Sequence, residues 1–199
     1  GEARNMKPLS EMIASFQQRY PDVNFSIYTA IADDVKERLE NGTLDLGLLL
    51  EPVEIGRYHY MRMPLKEKWH VLMRRDSHLA EKQRVTPQDL AGVPLIIAKR
   101  QSVRNVLENW FGYDKEKLHV VSTCNISHYN QSIMVESGIG MALVMEFFCS
   151  QDTLCLRPLE PALQSGCILV WKKNRMLSPV MQRFIGHAKE YLERTGKDG

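Results

Sequence analysis

The amino-acid sequence predicts an α/β fold made of two lobes, and three observations favour it. The chain has 199 residues, enough for one large domain or two small ones. Helical and strand patterns of apolar residues alternate along it, which is typical of α/β proteins. The same alternation begins again after Pro94. We therefore expect a second lobe that repeats the plan of the first.

The first 50 residues read as helix, strand, helix and strand. Apolar residues recur at helical spacing over residues 8–20 and predict an amphipathic helix. Residues 23–28 alternate apolar and polar side chains and predict a strand. A second helix is expected over residues 33–42, followed by a strand over residues 44–50. That strand is almost continuously apolar, so we expect it in a parallel sheet with helices on both faces.

The remaining elements continue this alternation to the end of the chain. In order, the sequence predicts strands at residues 58–63, 66–73 and 95–98, a helix at 103–111, a strand at 118–123, a helix at 129–137, strands at 140–144 and 167–171, and a helix that starts at Ser178-Pro179 and stops at Gly196. Residues 146–161 show no regular pattern, so no element is predicted there.

Composition and charge argue against several classes of protein. With 44% hydrophobic and 25% charged residues, the chain has the composition of a globular protein and not of a disordered or fibrous one. Its formal net charge of +2 is far below the basic charge that nucleic-acid-binding proteins usually carry, so this chain alone is not expected to bind DNA. The longest stretch without Asp, Glu, Lys or Arg, residues 118–135, carries too many polar groups to cross a membrane.

The cysteines and the first residues predict where the protein works. The four cysteines, Cys124, Cys149, Cys155 and Cys167, form no C-x-x-C pair and are too few for a disulfide scaffold. We therefore expect reduced thiols and a cytoplasmic protein. The start of the chain has neither a secretory leader nor an initiator Met, so we expect an interior start or a processed fragment.

The search for an enzyme finds no catalytic motif. The sequence has no G-x-S-x-G elbow, no phosphate-binding loop and no H-E-x-x-H, and Gly138 and Gly140 form a G-x-G without its third glycine. The six histidines show no i, i+3 or i, i+4 pairing, so no metal site and no cofactor are expected. Cys124 near His128 could form a nucleophilic pair, but a structural cysteine is favoured.

Polar residues gather where predicted strands give way to helices. In open α/β sheets, ligands bind beyond the carboxyl ends of the strands, at helix N-termini. Residues 98–102 and 123–127 are such junctions, and residues 3–5 and 30–32 are two more. At residues 98–102, the free N–H groups of the helix start and a hydroxyl could meet a carboxylate, with Lys99, Arg100 or Arg104 adding charge. A solvated, capped helix start is an equally favoured interpretation.

The order of these elements, with five sequence stretches, resembles the effector-binding regulatory domain of LysR-type transcriptional regulators. The resemblance covers essentially the whole chain. The stretches that carry it are K-P-L-S-E-M-I-A-S-F-Q-Q-R-Y-P-D-V from Lys7, V-K-E-R-L-E-N-G-T-L-D-L-G-L-L from Val35, W-H-V-L-M-R-R-D-S-H-L-A from Trp69, T-P-Q-D-L-A-G-V-P-L-I from Thr86 and V-E-S-G-I-G-M-A-L-V from Val135.

The resemblance implies a type 2 periplasmic-binding-protein fold, with two Rossmann-like lobes joined by two crossing strands. Lobe I would comprise residues 1–68 and 168–199, and lobe II residues 69–167. The family's first strand is expected before Gly1, and its winged helix-turn-helix DNA-binding domain is absent from this chain.

The same resemblance implies an effector site in the cleft between the lobes. The positions that would line it are Arg4, Asn5, Ile31, Ala98, Arg100, Ser102, Asn125, Met145 and Glu146. Two positions depart from the family pattern. The family often has Ser or Thr at the start of the first helix, where this chain has Arg4 and Asn5, and often has Pro where Met145 stands.

These implications define the expected function. The chain is expected to sense a small anionic metabolite for a bacterial transcription regulator, and to perform no catalysis. We expect a homodimer through this domain, with Leu9, Met12 and Phe16 partly in the core and partly in the interface, and a tetramer of the full-length protein. DNA would be bound only through the missing N-terminal domain. A periplasmic solute-binding protein of the same fold is the alternative, and an enzyme on the same plan is the third.

Overall fold

A computed structural model describes residues 3–125, 128–147 and 152–195, and for residues 113–115 it describes the backbone only. The helices and strands, in chain order, are α1 Met6–Arg19, α2 Ala32–Glu40, β1 Gly47–Leu50, β2 Tyr58–Arg62, β3 Glu67–Arg74, β4 Pro94–Ala98, α3 Gln101–Phe111, a 3₁₀ helix Gly112–Lys117, β5 His119–Cys124, α4 His128–Glu136, β6 Met141–Met145, β7 Leu154–Pro158, β8 Gln164–Ser165, β9 Cys167–Lys172 and α5 Pro179–Thr195. The predicted α/β class is confirmed.

The chain forms two compact units. Unit 1 is built from Ala3–Lys66 and from the chain after Gly166, and unit 2 is the continuous segment Glu67–Ser165. The polypeptide therefore leaves unit 1 once, completes unit 2, and then returns.

Unit 1 contains a three-stranded sheet in the order β1-β9-β2. The central strand β9 is antiparallel to both neighbours, with Leu48 opposite Leu169 and Tyr60 opposite Val170. Successive side chains of β9 lie on opposite faces of the sheet and pack in two different cores. Leu169 packs with α1 and α5, whereas Val170 packs with α2, so helices cover both faces of the sheet as predicted. The parallel pairing expected for residues 44–50 is wrong among the described residues, because the partner of β1 is the antiparallel β9.

The predicted strand at residues 44–50 is also shorter than expected. The backbone N–H groups of Thr43 and Leu44 both donate to the Arg38 carbonyl, at 2.9 and 3.1 Å. These two residues therefore close the last turn of α2, and β1 begins only at Gly47. The apolar pattern indicates burial, and here the partly buried residues begin at Leu44, before the backbone pairing of β1 begins at Gly47.

An aromatic cluster joins α1 to α5 on one face of the unit 1 sheet. The Phe16 and Phe184 rings meet edge to face with centroids 5.2 Å apart. Leu9, Met12 and Phe16 retain 9%, 0% and 1% of their exposure in the single chain. The expected interface role of these three residues is therefore wrong, since the core of unit 1 already occupies them.

The predicted strand at residues 23–28 is wrong. This segment has no regular secondary structure, and it pairs with no strand in the described part of the chain. Val23 and Phe25 pack against the aromatic core, while Ile27 and Tyr28 are 58% and 46% exposed. The alternation placed Ile27 on the same face as Val23 and Phe25, but only Val23 and Phe25 are packed against the core. A strand also needs a neighbouring backbone to pair with, and the local pattern carries no information about that.

Unit 2 contains a sheet in the order β5-β4-β6-β3-β7, with β8 added to β3. Strand β4 is parallel to β5 and β6, while β3 is antiparallel to β6, β7 and β8. The core between the sheet and α4 contains Ile96, Val135 and Ala142, which are almost fully buried. Strand β7 lies in the region for which the sequence predicted no element. Within the described ranges, no helix is long and apolar enough to cross a membrane.

Candidate functional site

The carboxyl ends of three parallel strands meet at one edge of the unit 2 sheet. Ala98 ends β4 and is paired with Cys124, the last residue of β5. Met145 ends β6, the parallel strand on the other side of β4. The Lys99 N–H donates to the Cys124 carbonyl at 2.9 Å, which fixes the start of the loop after β4. This edge thus brings together Ala98, Met145 and Asn125, which follows Cys124 directly.

Helix α3 starts at this edge with an unsatisfied hydroxyl. Its N-cap is Arg100, an extended residue whose side chain does not cap the helix. The Ser102 Oγ is buried and has no hydrogen-bond partner in the described structure. The first N–H groups of any helix also lack intrahelical acceptors, and the positive end of the helix dipole lies there. The start of α3 therefore offers several donors to an acceptor that the described residues do not provide.

Charges near this helix start favour an anion. Lys99 is exposed, and Arg100 and Arg104 are partly buried. The Arg104 Nε is buried without a hydrogen-bond partner, and Arg104 faces Glu108 at 3.8 Å. A helix N-terminus with several cations around it suits a carboxylate or phosphate group.

Strand β3 brings a fourth chain segment to the same edge. Because β3 is antiparallel to β6, the start of β3 lies beside the end of β6, and Trp69 pairs with Met145. The Glu146 N–H donates to the Lys68 carbonyl at 2.8 Å. The Trp69 indole is fixed by a 3.0 Å hydrogen bond from its Nε1 to the Ser165 Oγ. Glu146 thus sits on a well-braced part of unit 2.

An aromatic pair also lies at this edge, and the sequence reasoning missed it. The His128 ring, at the start of α4, stacks on the Phe147 ring, which follows β6, with centroids 4.2 Å apart and planes 4° apart. The two residues are 19 positions apart, and no periodic pattern links them. Ile126 and Ser127 of the predicted junction lie outside the described residues.

Three expected site residues belong to unit 1. Arg4 is exposed just before α1, and Ile31 is the extended N-cap residue of α2. Asn5 is fully buried, and its amide group holds the backbone of Leu65. Its Nδ2 donates to the Leu65 carbonyl at 2.9 Å, and its Oδ1 accepts from the Leu65 N–H at 3.1 Å. Asn5 therefore ties the start of α1 to the end of the first segment of unit 1.

The residues considered for catalysis have structural partners. The Cys124 Sγ contacts the Met134 Sδ at 3.3 Å, whereas the nearby His128 stacks on Phe147. Gly138 has a φ of 80° after α4, a conformation that favours glycine. A Cβ on Gly140 would lie 2.5 Å from the Pro94 carbonyl oxygen. The two glycines therefore serve a turn and a close backbone approach.

The sequence predicted no metal site and no disulfide bond. Among the described residues, no cluster of three or more His, Cys, Asp or Glu side chains could hold a metal ion. Cys124, Cys155 and Cys167 are free thiols, while Cys149 lies outside the described residues.

Comparison with solved structures identifies the fold. The effector-binding domain of QuiR, solved in complex with shikimate, superposes with a TM-score of 0.82 at 16% sequence identity, over 94% of this chain and 90% of that one. The regulatory domain of CcmR from Synechocystis PCC6803, solved in complex with 2-PG, superposes with a TM-score of 0.70 at 19% identity, over 92% and 89%. The protein is thus an α/β protein of the type 2 periplasmic-binding-protein-like class.

Sequence comparison then identifies the family. The family model described as LysR substrate binding domain matches residues 6–193, nearly the whole chain. The chain belongs to the LysR substrate-binding domain family. The HTH-type transcriptional regulator YvbU of Bacillus subtilis is 27% identical over 187 residues, which are 92% of this chain and 62% of YvbU. The chain therefore spans about three fifths of the length of this relative, whose name describes a transcriptional regulator.

Proposed function

We propose that the chain is the effector-sensing domain of a bacterial LysR-type transcription regulator and binds a small anionic metabolite. The observation that carries the proposal is the buried, unpaired Ser102 hydroxyl at the start of α3. A buried hydroxyl without a partner costs stability, so its presence beside a helix N-terminus and several cations favours a ligand that accepts its hydrogen bond.

The proposed contacts follow from the family resemblance and from the unit 2 edge. By this resemblance, an effector would meet the helix start and the loops after the three parallel strands in unit 2, and the starts of α1 and α2 in unit 1. The proposed effector-binding residues are Arg4, Asn5, Ile31, Ala98, Arg100, Ser102, Asn125, Met145 and Glu146. Asn5 acts as a positioning residue, because Leu65 already holds its amide. The QuiR domain with shikimate and the CcmR domain with 2-PG support a small polar ligand for this fold.

Ligand binding would act on DNA only through the full-length protein. A ligand shifts a conformational equilibrium by its difference in affinity for the two states, and by no more. The state favoured by the metabolite would then set how the N-terminal DNA-binding domain engages its operator. The name of YvbU as an HTH-type regulator supports this arrangement. We place this regulator in the cytoplasm, where its free thiols stay reduced.

A thermal-shift panel of amino acids, small carboxylates and aromatic acids tests the proposal. A ligand at about 100 times its dissociation constant adds roughly 2.7 kcal/mol of stability. Ser102→Ala is expected to lower the affinity for the stabilising compound about tenfold, because one hydrogen bond to a charged group is lost. The same variant without ligand should be at least as stable as the wild type, because the unpaired hydroxyl is gone.

Ser132→Ala is the matched control, because its Oγ already donates to the His128 carbonyl at 2.7 Å within unit 2. This control should bind the compound with unchanged affinity. Arg100→Ala and Asn125→Ala extend the test around the same edge. If a stabilising compound keeps its full affinity in Ser102→Ala, Arg100→Ala and Asn125→Ala, the proposed site is wrong.

We further propose that the domain forms a homodimer, and that the full-length protein is a tetramer. Closed, symmetric dimers are the commonest oligomers of soluble proteins, and the family resemblance supports side-by-side pairing. Residues other than Leu9, Met12 and Phe16 must form the interface, because those three lie in the core. Sedimentation equilibrium should give the mass of two chains at micromolar concentration. A single-chain mass at the highest soluble concentration contradicts the dimer.

A further inference from the structure

The edge of unit 2 that carries the proposed effector contacts has side chains of both charges. Lys99 and Arg100 follow β4, and Glu146 follows β6. These two strands are neighbours and run parallel, with Leu95 paired with Met141. Because strands in a sheet lie about 4.8 Å apart, the cations and the carboxylate leave the sheet side by side. An acid without a positive group would be attracted by the cations and repelled by Glu146.

The groups that follow β4 are suited to a carboxylate. The Ser102 Oγ is buried without a hydrogen-bond partner in the described structure. The first N–H groups of α3 have no intrahelical acceptors, and Arg100 is the N-cap residue. These N–H groups and the guanidinium can only donate hydrogen bonds, so they favour an anionic group and offer no acceptor to an amine.

Glu146 provides the acceptor that the start of α3 lacks. Its side chain is partly buried, and its backbone is fixed, because its N–H donates to the Lys68 carbonyl at 2.8 Å and Met145 before it pairs with Trp69. A carboxylate that is partly removed from water is stabilised by a cationic group beside it. Glu146 has interactions within the protein, but its two oxygens offer about four acceptor positions, which leaves room for an ammonium as well.

Apolar side chains flank Glu146 in the sequence. Met145 precedes it, Phe147 follows it, and both are partly buried. Phe147 packs against the core between the sheet and α4 and stacks on the His128 ring, with centroids 4.2 Å apart. A ligand whose ammonium meets Glu146 therefore has apolar surface next to it, which favours an apolar side chain on the ligand.

We propose that the effector is an α-amino acid with an apolar side chain. Its carboxylate binds at the start of α3, its ammonium pairs with Glu146, and its side chain packs beside Met145 and Phe147. This inference rests on the proposed function, because it specifies which kind of molecule occupies the proposed effector site. It adds one requirement to that function, namely a positive group on the ligand.

The first test compares amino acids with analogues that lack one charged group. The probes are L-leucine, L-methionine and L-phenylalanine. The acids 4-methylpentanoate, 4-methylthiobutanoate and 3-phenylpropanoate lack the ammonium, and the three amino-acid amides lack the carboxylate. Calorimetric titration of the wild-type chain is expected to give at least one probe an affinity about tenfold above that of both its analogues. If no probe binds, or if either analogue binds as tightly as its probe, the inference is wrong.

Glu146→Gln tests the ammonium contact. This variant is expected to lower the affinity for the amino acid about tenfold, while the affinity for its deaminated acid stays the same or rises, because a repulsive charge is gone. Glu136→Gln is the matched control in unit 2. The Glu136 carbonyl accepts from Arg74, at the opposite end of β3 from Lys68, and its Oε1 accepts from the Thr153 hydroxyl at 2.7 Å. The control should bind with unchanged affinity, and unchanged affinity in Glu146→Gln would overturn the inference.

Ser102→Ala separates this inference from the proposed function. It should lower the affinity for the amino acid and for its deaminated acid alike, because both carry the carboxylate. If it lowers the affinity for a deaminated acid that binds as tightly as its amino acid, the proposed site stands and the amino-acid inference is wrong. An amino acid that keeps its full affinity in Ser102→Ala, Arg100→Ala and Asn125→Ala would contradict the proposed site and this inference together.

Discussion

Asp89 shows how one carboxylate can organise a turn. Its Oδ2 accepts from both the backbone N–H and the hydroxyl of Thr86, each at 3.0 Å, and its Oδ1 contacts the Lys82 Nζ. Burial works to raise the pKa of Asp89, but Lys82 and the two hydrogen bonds from Thr86 outweigh it. The pKa of Asp89 in the folded protein is therefore below its ordinary value.

A pH-dependent stability follows from this lowered pKa. Because the folded protein favours the ionised form, Asp89 contributes stability above its unfolded pKa of about 3.9, and this contribution is lost as the pH falls through the folded value. Asp89→Asn is expected to lower the free energy of unfolding by about 1 kcal/mol at pH 7. Urea denaturation at pH 7 and at pH 3 should show this difference shrinking in acid. A difference of constant size at both pH values would contradict the role of the charge.

The site residues show what a sequence can and cannot reveal at this scale. The position of Ser102 at a strand-to-helix junction could be predicted from the alternation of patterns around it. The clamp of Asn5 on Leu65 could not, because the two residues are 60 positions apart and no local pattern joins them. The same reason explains why the stack of His128 on Phe147 was missed.

At the scale of elements, the close approach of β4 and β6 depends on one glycine. Leu95 of β4 pairs with Met141 of β6, and Gly140 precedes this pair. A Cβ on Gly140 would lie 2.5 Å from the Pro94 carbonyl oxygen and 2.9 Å from the Pro94 carbonyl carbon. Both atoms are backbone, so neither can move without moving the strand.

Gly140→Ala is therefore expected to lower the free energy of unfolding by about 1–3 kcal/mol, as overpacking does elsewhere. Gly56→Ala is the control, because a Cβ there meets nothing within 4 Å. It should change the free energy by no more than about 0.5 kcal/mol. Urea midpoints of the two variants provide the comparison. Equal midpoints for both variants would show that β4 and β6 can separate without cost.

The helices and strands were predicted correctly where the pattern of buried residues matches the backbone pairing, and wrongly where the two differ. The helices and most strands follow their apolar spacing, because one face of each packs on a core. Residues 23–28 have the spacing of a strand but no neighbouring strand in the described structure. Strand β7 has the opposite property, since it pairs with β3 although its burial does not alternate.

At the scale of the whole molecule, the two units differ in how they use the chain. Unit 2 is one continuous segment that contains all the strands of its sheet and the helices α3 and α4. Unit 1 needs two segments, because its central strand β9 comes from the second one. Only unit 2 can therefore be cut out without dividing a sheet.

An isolated fragment of residues 67–165 is expected to fold by itself. Its far-UV circular dichroism should show α/β structure that is lost in one cooperative thermal transition. The matched fragment of residues 1–66 lacks β9, which lies between β1 and β2, and should remain unfolded. A non-cooperative melt of the 67–165 fragment would mean that unit 2 depends on unit 1 for its stability.

The position of β9 also sets an order of events on the ribosome. Strands β1 and β2 leave the exit tunnel early, but β9 separates them in the finished sheet and is made only after all of unit 2. At about 5–20 residues per second, that interval lasts roughly 5–20 s. During it, the apolar face of α1 has no completed sheet to cover it, so the first segment of unit 1 stays partly exposed. Of the two units, unit 2 is therefore the first able to reach its native structure, although it is second in the sequence.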